Sequence, residues 1–204
     1  MALKATNLSA VREFRTLFSE IDFSISEGQL LLVEGPNGSG KTTLLKLISG
    51  LRRADSGDIF WQDTNIQEAE CRLNHDLSWL SHQNPLKPDQ TALENLQMLS
   101  ALRKRSTISL QQALKEVGLA KFKHKTVQSF SAGMKRRLAL ASLITADSKL
   151  WVLDEPQASL DKDGIEMFER LALDHLNNSG LIVMTSHHPV NLPASRIKPL
   201  RLGS

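Results

Sequence analysis

Apolar residues recur along this chain with two periods. Ile21, Phe23 and Ile25 alternate with polar neighbours, as a strand with one face in solvent requires, whereas Leu30, Leu31, Leu32 and Val33 form the unbroken run of a strand covered on both faces. The first is expected at the periphery and the second inside a sheet. Unbroken runs over 150–153 and 181–184, each preceded by turn or polar residues, predict two more buried strands, and a further strand is expected over 77–81. Helical periodicity fills 41–49, 92–103, 109–117, 133–145 and 164–176, with Gly50 closing the first span and Gly118 the third. Strands that alternate with helices indicate α/β architecture with a mainly parallel core sheet. Residues 84–145 pattern as helices without a strong strand, so they are expected to form a helical insert, with the core resuming at Lys149.

Composition narrows this picture. A chain of 204 residues is long enough for one core and short for two ordinary domains, so 1–204 is expected to be a single domain carrying the insert as a subdomain. With 41% apolar residues and a net charge of +3 the chain lies in the globular range, which excludes a disordered or collagen-like polymer. The longest apolar stretch, the interrupted run over 138–146, falls short of the roughly 18 residues a membrane helix needs, so no span is expected. Residues 1–10 show no apolar segment with a cleavage site behind it, so no export signal is expected either. A lone Cys71 allows no internal disulfide and fits a reducing compartment.

The chemistry begins at Gly35-Pro36-Asn37-Gly38-Ser39-Gly40-Lys41-Thr42, with Thr43 following. This satisfies G-x-x-x-x-G-K-[ST] between a predicted buried strand and a predicted helix, which is the context that pattern needs. Glycines let successive backbone N–H groups and the helix N-terminus face phosphates, Lys41 reaches the β and γ oxygens, and the Thr42 hydroxyl is placed to ligate Mg²⁺. The fixed letters arise by chance in roughly one chain in a hundred of this length, before the flanking pattern is counted. A second half-site follows the run over 150–153, where Asp154 and Glu155 stand at a strand's C-terminal end, the end at which open α/β sheets bind ligands. Asp154 would hold Mg²⁺ through water, and Glu155 would act as general base on the attacking water. Adjacent strand residues face opposite ways, so both carboxylates reach one site only if the strand is already turning there, and Pro156 fits such a turn.

These residues resemble the ATP-binding subunits of ABC transporters, over about 3–189. The mark of that family is a signature at a helix start, here Phe130-Ser131-Ala132-Gly133-Met134, which departs from the common Leu-Ser-Gly-Gly-Gln at three positions. The resemblance implies a P-loop NTPase of ABC-ATPase type, with an antiparallel β subdomain beside the parallel core sheet. It implies ATP and Mg²⁺ as ligands, Gln83 as a loop glutamine that senses Mg²⁺ and water, and His187 as a switch histidine at the γ-phosphate. It further implies Asp161 at a dimer interface, with Ser131, Ala132 and Gly133 acting on the ATP of a second copy of the chain. Adenine in this family stacks on an aromatic residue, often Tyr. The chain has no Tyr, and the spacing does not choose between Arg12 and Phe14 as its substitute.

Within the family, Trp79-Leu80-Ser81-His82-Gln83, residues 91–96, the Ser-Ala-Gly signature and Ser186-His187-His188-Pro189 resemble the ATP-binding subunits of cytochrome c maturation haem exporters. That likeness implies transmembrane haem-exporter subunits as partners and a peripheral place on the cytoplasmic face of a bacterial inner membrane. The residues themselves leave open the ATPase of another small exporter, for a drug, lipid or peptide, and an ABC-type ATPase that remodels a protein assembly. No C-x-x-C-H accompanies His75, His82 or His188, so these are expected to be surface residues and not haem ligands. Basic runs over 103–105 and 121–125 lack a stacking platform or reader motif; a solvated face is expected of them, nucleic acid is not, and beside a membrane they would attract an anionic surface weakly.

Overall fold

The computed structural model describes residues 2–68, 71–101, 104 and 106–203. Its first elements are a long hairpin, β1 (Leu3–Arg12) and β2 (Arg15–Ile25), then β3 (Leu30–Glu34), α1 (Lys41–Ile48), β4 (Ser56–Trp61) and the short β5 (Thr64–Asn65). A single turn of helix, α2 (Leu73–Asp76), leads into β6 (Leu77–Leu80), after which α3 (Ala92–Ala101), α4 (Leu110–Glu116) and α5 (Ala132–Ile144) follow without an intervening strand. The chain then returns through β7 (Leu150–Leu153), α6 (Lys162–Asn177), β8 (Leu181–Thr185) and β9 (Ile197–Arg201). Two sheets result: an antiparallel one in the order β2-β1-β4-β5 and a parallel one in the order β6-β7-β8-β3-β9.

The unbroken apolar runs are explained by two cores on opposite faces of the parallel sheet. Leu31, Val33, Leu150, Val152, Leu181 and Val183 face α1 and the antiparallel sheet, while Leu30, Trp151, Leu153, Ile182 and Met184 face α5, α6 and the other helices. Each strand therefore still alternates with period two, but both sets of side chains are buried. Ile21, Phe23 and Ile25 lie in β2 at the edge of the antiparallel sheet, the peripheral position their alternation predicts.

Strands β1, β4, β5 and β9 have no counterpart in the predicted set, for local reasons. In β1 the buried residues are Leu3 and Ala5, then Leu8 and Ala10, because the pairing slips between Ala5 and Leu8 around left-handed Asn7 and shifts the phase by one residue. Strand β9 is an edge strand that contains Pro199, a residue whose missing N–H is tolerated at an edge and reads as a breaker in sequence. Helix α6 begins earlier than its periodicity suggests, since the Asp161 carboxylate caps it by accepting from the Gly164 N–H at 2.9 Å. The expected end of the 92–103 helix lies outside the described residues, as do Arg103 and Arg105 of the first basic run.

Behind the parallel sheet's N-terminal edge, His175 of α6 stacks on Trp151 of β7 with ring centroids 3.9 Å apart and planes 8° from parallel. Its Nε2 lies 3.3 Å from the Leu181 carbonyl oxygen. Burial lowers the His175 pKa from an ordinary 6.5 to about 4, against the opposing pull of the Leu181 and Lys149 backbone. Between those two values the unfolded chain binds a proton that the folded chain does not, so stability is full above pH 6.5 and falls as pH drops toward 4. The loss reaches roughly 3 kcal/mol at the lower limit. Urea midpoints measured from pH 7.5 down to 4.5 should therefore fall more steeply for the natural chain than for His175→Gln, and equal slopes would remove His175 as the source.

Candidate active site

Strand β3 delivers the phosphate loop, and α1 begins at its last lysine. Gly40 precedes α1 with φ 97° and ψ 10°, a left-handed conformation, and a Cβ there would stand 3.0 Å from the Phe18 ring. Glycine alone meets both demands. No side chain caps α1 and no acidic residue occupies its first turn, so its N–H groups and positive dipole end remain directed at the cleft. Lys41 folds back along the loop, donating from Nζ to the carbonyls of Gly35 at 2.7 Å and Pro36 at 3.1 Å. The Ser39 hydroxyl is buried beside it without a hydrogen-bond partner among the described residues.

The carboxylates of β7 meet this loop across the sheet. Thr42 donates from Oγ1 to Asp154 Oδ2 at 3.0 Å, while the other Asp154 oxygen accepts from Thr185 Oγ1 at 2.8 Å. The same Thr185 hydroxyl accepts the Glu155 N–H at 2.9 Å. Glu155 itself is left-handed, with φ 49°, which is the turn that lets two successive residues serve one site. Its Oε1 lies 3.1 Å from His187 Nε2. Asn37, Gly38, Gly40, Lys41, Thr42, Thr43, Glu155 and Arg12 line a cleft of about 230 Å³. Phe14, by contrast, stands at the tip of the β1–β2 turn, fully exposed and apart from that lining. Gln83 lies in the exposed loop after β6, with its carbonyl accepting from Ser81 Oγ at 2.6 Å.

The donors in this cleft suit Mg²⁺. Thr42 and Asp154 offer a hydroxyl and a carboxylate within one hydrogen-bond length, the hard oxygen donors that such an ion prefers. Such a site needs no all-protein cage, and among the described residues no cluster of three or more His, Cys, Asp or Glu forms one.

The signature residues sit elsewhere. Ser131 caps α5 by accepting from the Met134 N–H at 3.2 Å, and Ser131, Ala132 and Gly133 line a separate cleft of about 530 Å³ with Ser159 and Asp161. Gly133 is there for space: a Cβ would approach the Ser159 carbonyl to 2.9 Å. Arg137 donates to Asp161 at 2.6 Å, and that hydrogen bond, with the Gly164 N–H, holds the exposed Asp161 carboxyl below its ordinary pKa. The two clefts share no lining residue.

Two residues at this site have no functional place in the sequence reading. Thr185 follows the apolar run over 181–184 and is given no role there, yet it is fully buried and joins Asp154 to the Glu155 backbone. Arg136 stands between Lys135 and Arg137 just after the signature and is given no role there, yet it is 2% exposed. Burial lowers its pKa to about 10, opposed by the charges of Asp154 and Glu155, so it stays protonated at neutral pH. One signal was available: Arg136 shares a helical stripe with Ala139, Leu140 and Leu143, the buried face of α5.

Comparison with known proteins agrees with this geometry. The family model described as ABC transporter matches residues 18–158. The cytochrome c biogenesis ATP-binding export protein CcmA of Aliivibrio fischeri is 39% identical over 202 residues, covering 98% of this chain and 99% of its own. In fold, a putative ABC transporter ATP-binding protein from Pyrococcus furiosus superposes with a TM-score of 0.83 at 24% identity, covering 98% of both chains. Another ATP-binding cassette, a dimer in a post-hydrolysis state bound to ADP and Pi, gives a TM-score of 0.79 at 20% identity over 99% of this chain and 97% of its own. The chain thus belongs to the ABC transporter family and, within it, to the cytochrome c biogenesis ATP-binding export proteins.

Proposed function

We propose that this chain is the ATP-hydrolysing subunit of a cytochrome c biogenesis exporter and that two copies close around ATP to do the work. One observation carries the reading: each copy gathers the phosphate loop and Glu155 in one cleft, with Asp154 bonded to Thr42 beside it, and presents its signature in another. A second copy, turned to face the first, brings the missing half to each site. Ser131, Ala132 and Gly133 of one copy then meet the γ-phosphate held by the other, with Asp161 at the seam. Closure across that phosphate gives ATP a higher affinity for the closed pair, which is the condition for any ligand-driven shift.

Within each cleft the α1 N-terminus and the loop N–H groups receive the phosphates, and Lys41 turns from its carbonyl partners to the β and γ oxygens. Thr42 and Asp154, with Gln83 brought in from its loop, would hold Mg²⁺. Such an ion would supply positive charge against the negative charge that develops on the phosphate oxygens. Glu155 accepts the proton of the water whose oxygen bonds to the γ-phosphorus, while the bond from that phosphorus to the bridging oxygen breaks and ADP departs. His187, whose Nε2 lies 3.1 Å from Glu155 Oε1, would orient the base and touch the γ-phosphate. Arg12 lines the cleft and Phe14 does not, which favours Arg12 as the adenine platform.

The membrane step falls to partner subunits. Among the described residues no helix is long and apolar enough to cross a bilayer. We assign the channel to transmembrane haem-exporter subunits and place this chain at the cytoplasmic face of a bacterial inner membrane, where Lys121, Lys123 and Lys125 would add weak attraction to anionic lipid. ATP either drives haem across or releases a haem-loaded chaperone.

Lys41→Ala should lose nucleotide affinity by an order of magnitude or more in a fluorescent-nucleotide titration. Glu155→Gln should keep ATP bound, accumulate dimer on gel filtration and lower kcat by about 10²- to 10⁴-fold; hydrolysis at the natural rate would refute the base assignment. Deleting the protein should deplete covalent haem from periplasmic c-type cytochromes, and normal levels would rule out the cytochrome c role.

A further inference from the structure

Arg136 makes five hydrogen bonds from one guanidinium. Its Nε donates to the Pro156 carbonyl at 3.0 Å, and Nη2 donates to the carbonyls of Asp154 at 2.9 Å and Glu155 at 2.8 Å. Three successive carbonyls of the carboxylate turn thus converge on one cation. The remaining nitrogen, Nη1, donates to the Ser81 carbonyl at 2.9 Å and to Asn84 Oδ1 at 3.0 Å, the two residues that bracket His82 and Gln83. Arg136 stands five residues after Ser131 on the helix that the signature opens.

The turn it holds is one the backbone resists. Glu155 is left-handed, which is uncommon for a residue with a side chain, and it precedes Pro156, which further restricts the residue before it. Such a conformation persists where its surroundings over-determine it. Here the Thr185 hydroxyl fixes the Glu155 N–H and Arg136 fixes the carbonyls on either side. Only a planar fork can reach so many acceptors at once; a lysine ammonium in its place is a point charge with three donors and different directions.

We propose that Arg136 is a positioning residue for ATP hydrolysis: its guanidinium locks the turn that aims Glu155 and ties that turn, the Gln83 loop and the signature helix into one rigid unit. Movement of α5 against a partner's ATP is then transmitted to Glu155 and to Gln83 together. This rests on the reading of Glu155 as the base.

The test uses the full chain and its complex with the membrane subunits, comparing the natural protein with Arg136→Lys, and with Arg136→Gln should Arg136→Lys fold poorly. Expected are Mg-ATP affinity within about threefold of the natural chain, kcat at least tenfold lower, and no additional loss when Arg136→Lys is combined with Glu155→Gln. Amide hydrogen exchange should quicken in peptides covering both 81–86 and 154–158 while 41–48 stays unchanged. An unchanged kcat per folded molecule with a lower Tm would reduce Arg136 to a structural role and overturn the proposal. So would equal fold-losses in the presence and absence of Glu155→Gln, or quickened exchange in only one of the two loops. Absence of ATP hydrolysis in the natural complex would refute the ATPase reading itself, and the exchange pattern would still decide whether Arg136 joins the loops.

Discussion

Thr42 and Asp154 are 112 residues apart in sequence and 3.0 Å apart in space, and the site depends on that hydrogen bond. It exists because β3 and β7 flank β8 in one parallel sheet, with Leu32 and Leu153 both paired to Met184. Parallel strands in register end at one edge, so the loop after β3 and the carboxylates after β7 emerge side by side. Covering both faces of that sheet requires two cores, and the helices, the antiparallel sheet and the unbroken apolar runs of β3, β7 and β8 all follow from this need.

Charge is arranged around the same edge. The uncapped N-terminus of α1 and Lys41 contribute positive charge to the cleft, Glu155 lines it, and Asp154 is buried beside it on Thr42. Behind the carboxylates lies the buried guanidinium of Arg136, bonded to three of the turn's carbonyls and to the loop after β6. The back of the site is therefore braced by many bonds, whereas its front is open and half exposed at Glu155 and His187. The signature lines a different cleft from this front, as the proposed pairing of two copies requires.

Much of this was legible in the chain because the phosphate loop is contiguous. Gly35 to Thr42 carries its own strand before it and helix after it, so motif and context could be read together. The peripheral place of Ile21, Phe23 and Ile25 was legible for a similar reason: alternation is a local property. Strand β1 was not, since a slip at Asn7 breaks its alternation midway. Arg136 was hidden by its neighbours Lys135 and Arg137, which make a buried residue look like part of a solvated run.

By itself, then, the sequence determined the α/β class, the phosphate loop and the pair of acidic residues, because periodicity and contiguous motifs act over a few residues. Only the tertiary structure decided that Thr185 bridges Asp154 to the Glu155 backbone, that Arg12 and not Phe14 lines the cleft, and that Arg136 holds the carboxylate turn. Those outcomes depend on hydrogen bonds between segments brought together by strand order and burial, and neither strand order nor burial is written in any local stretch of the chain.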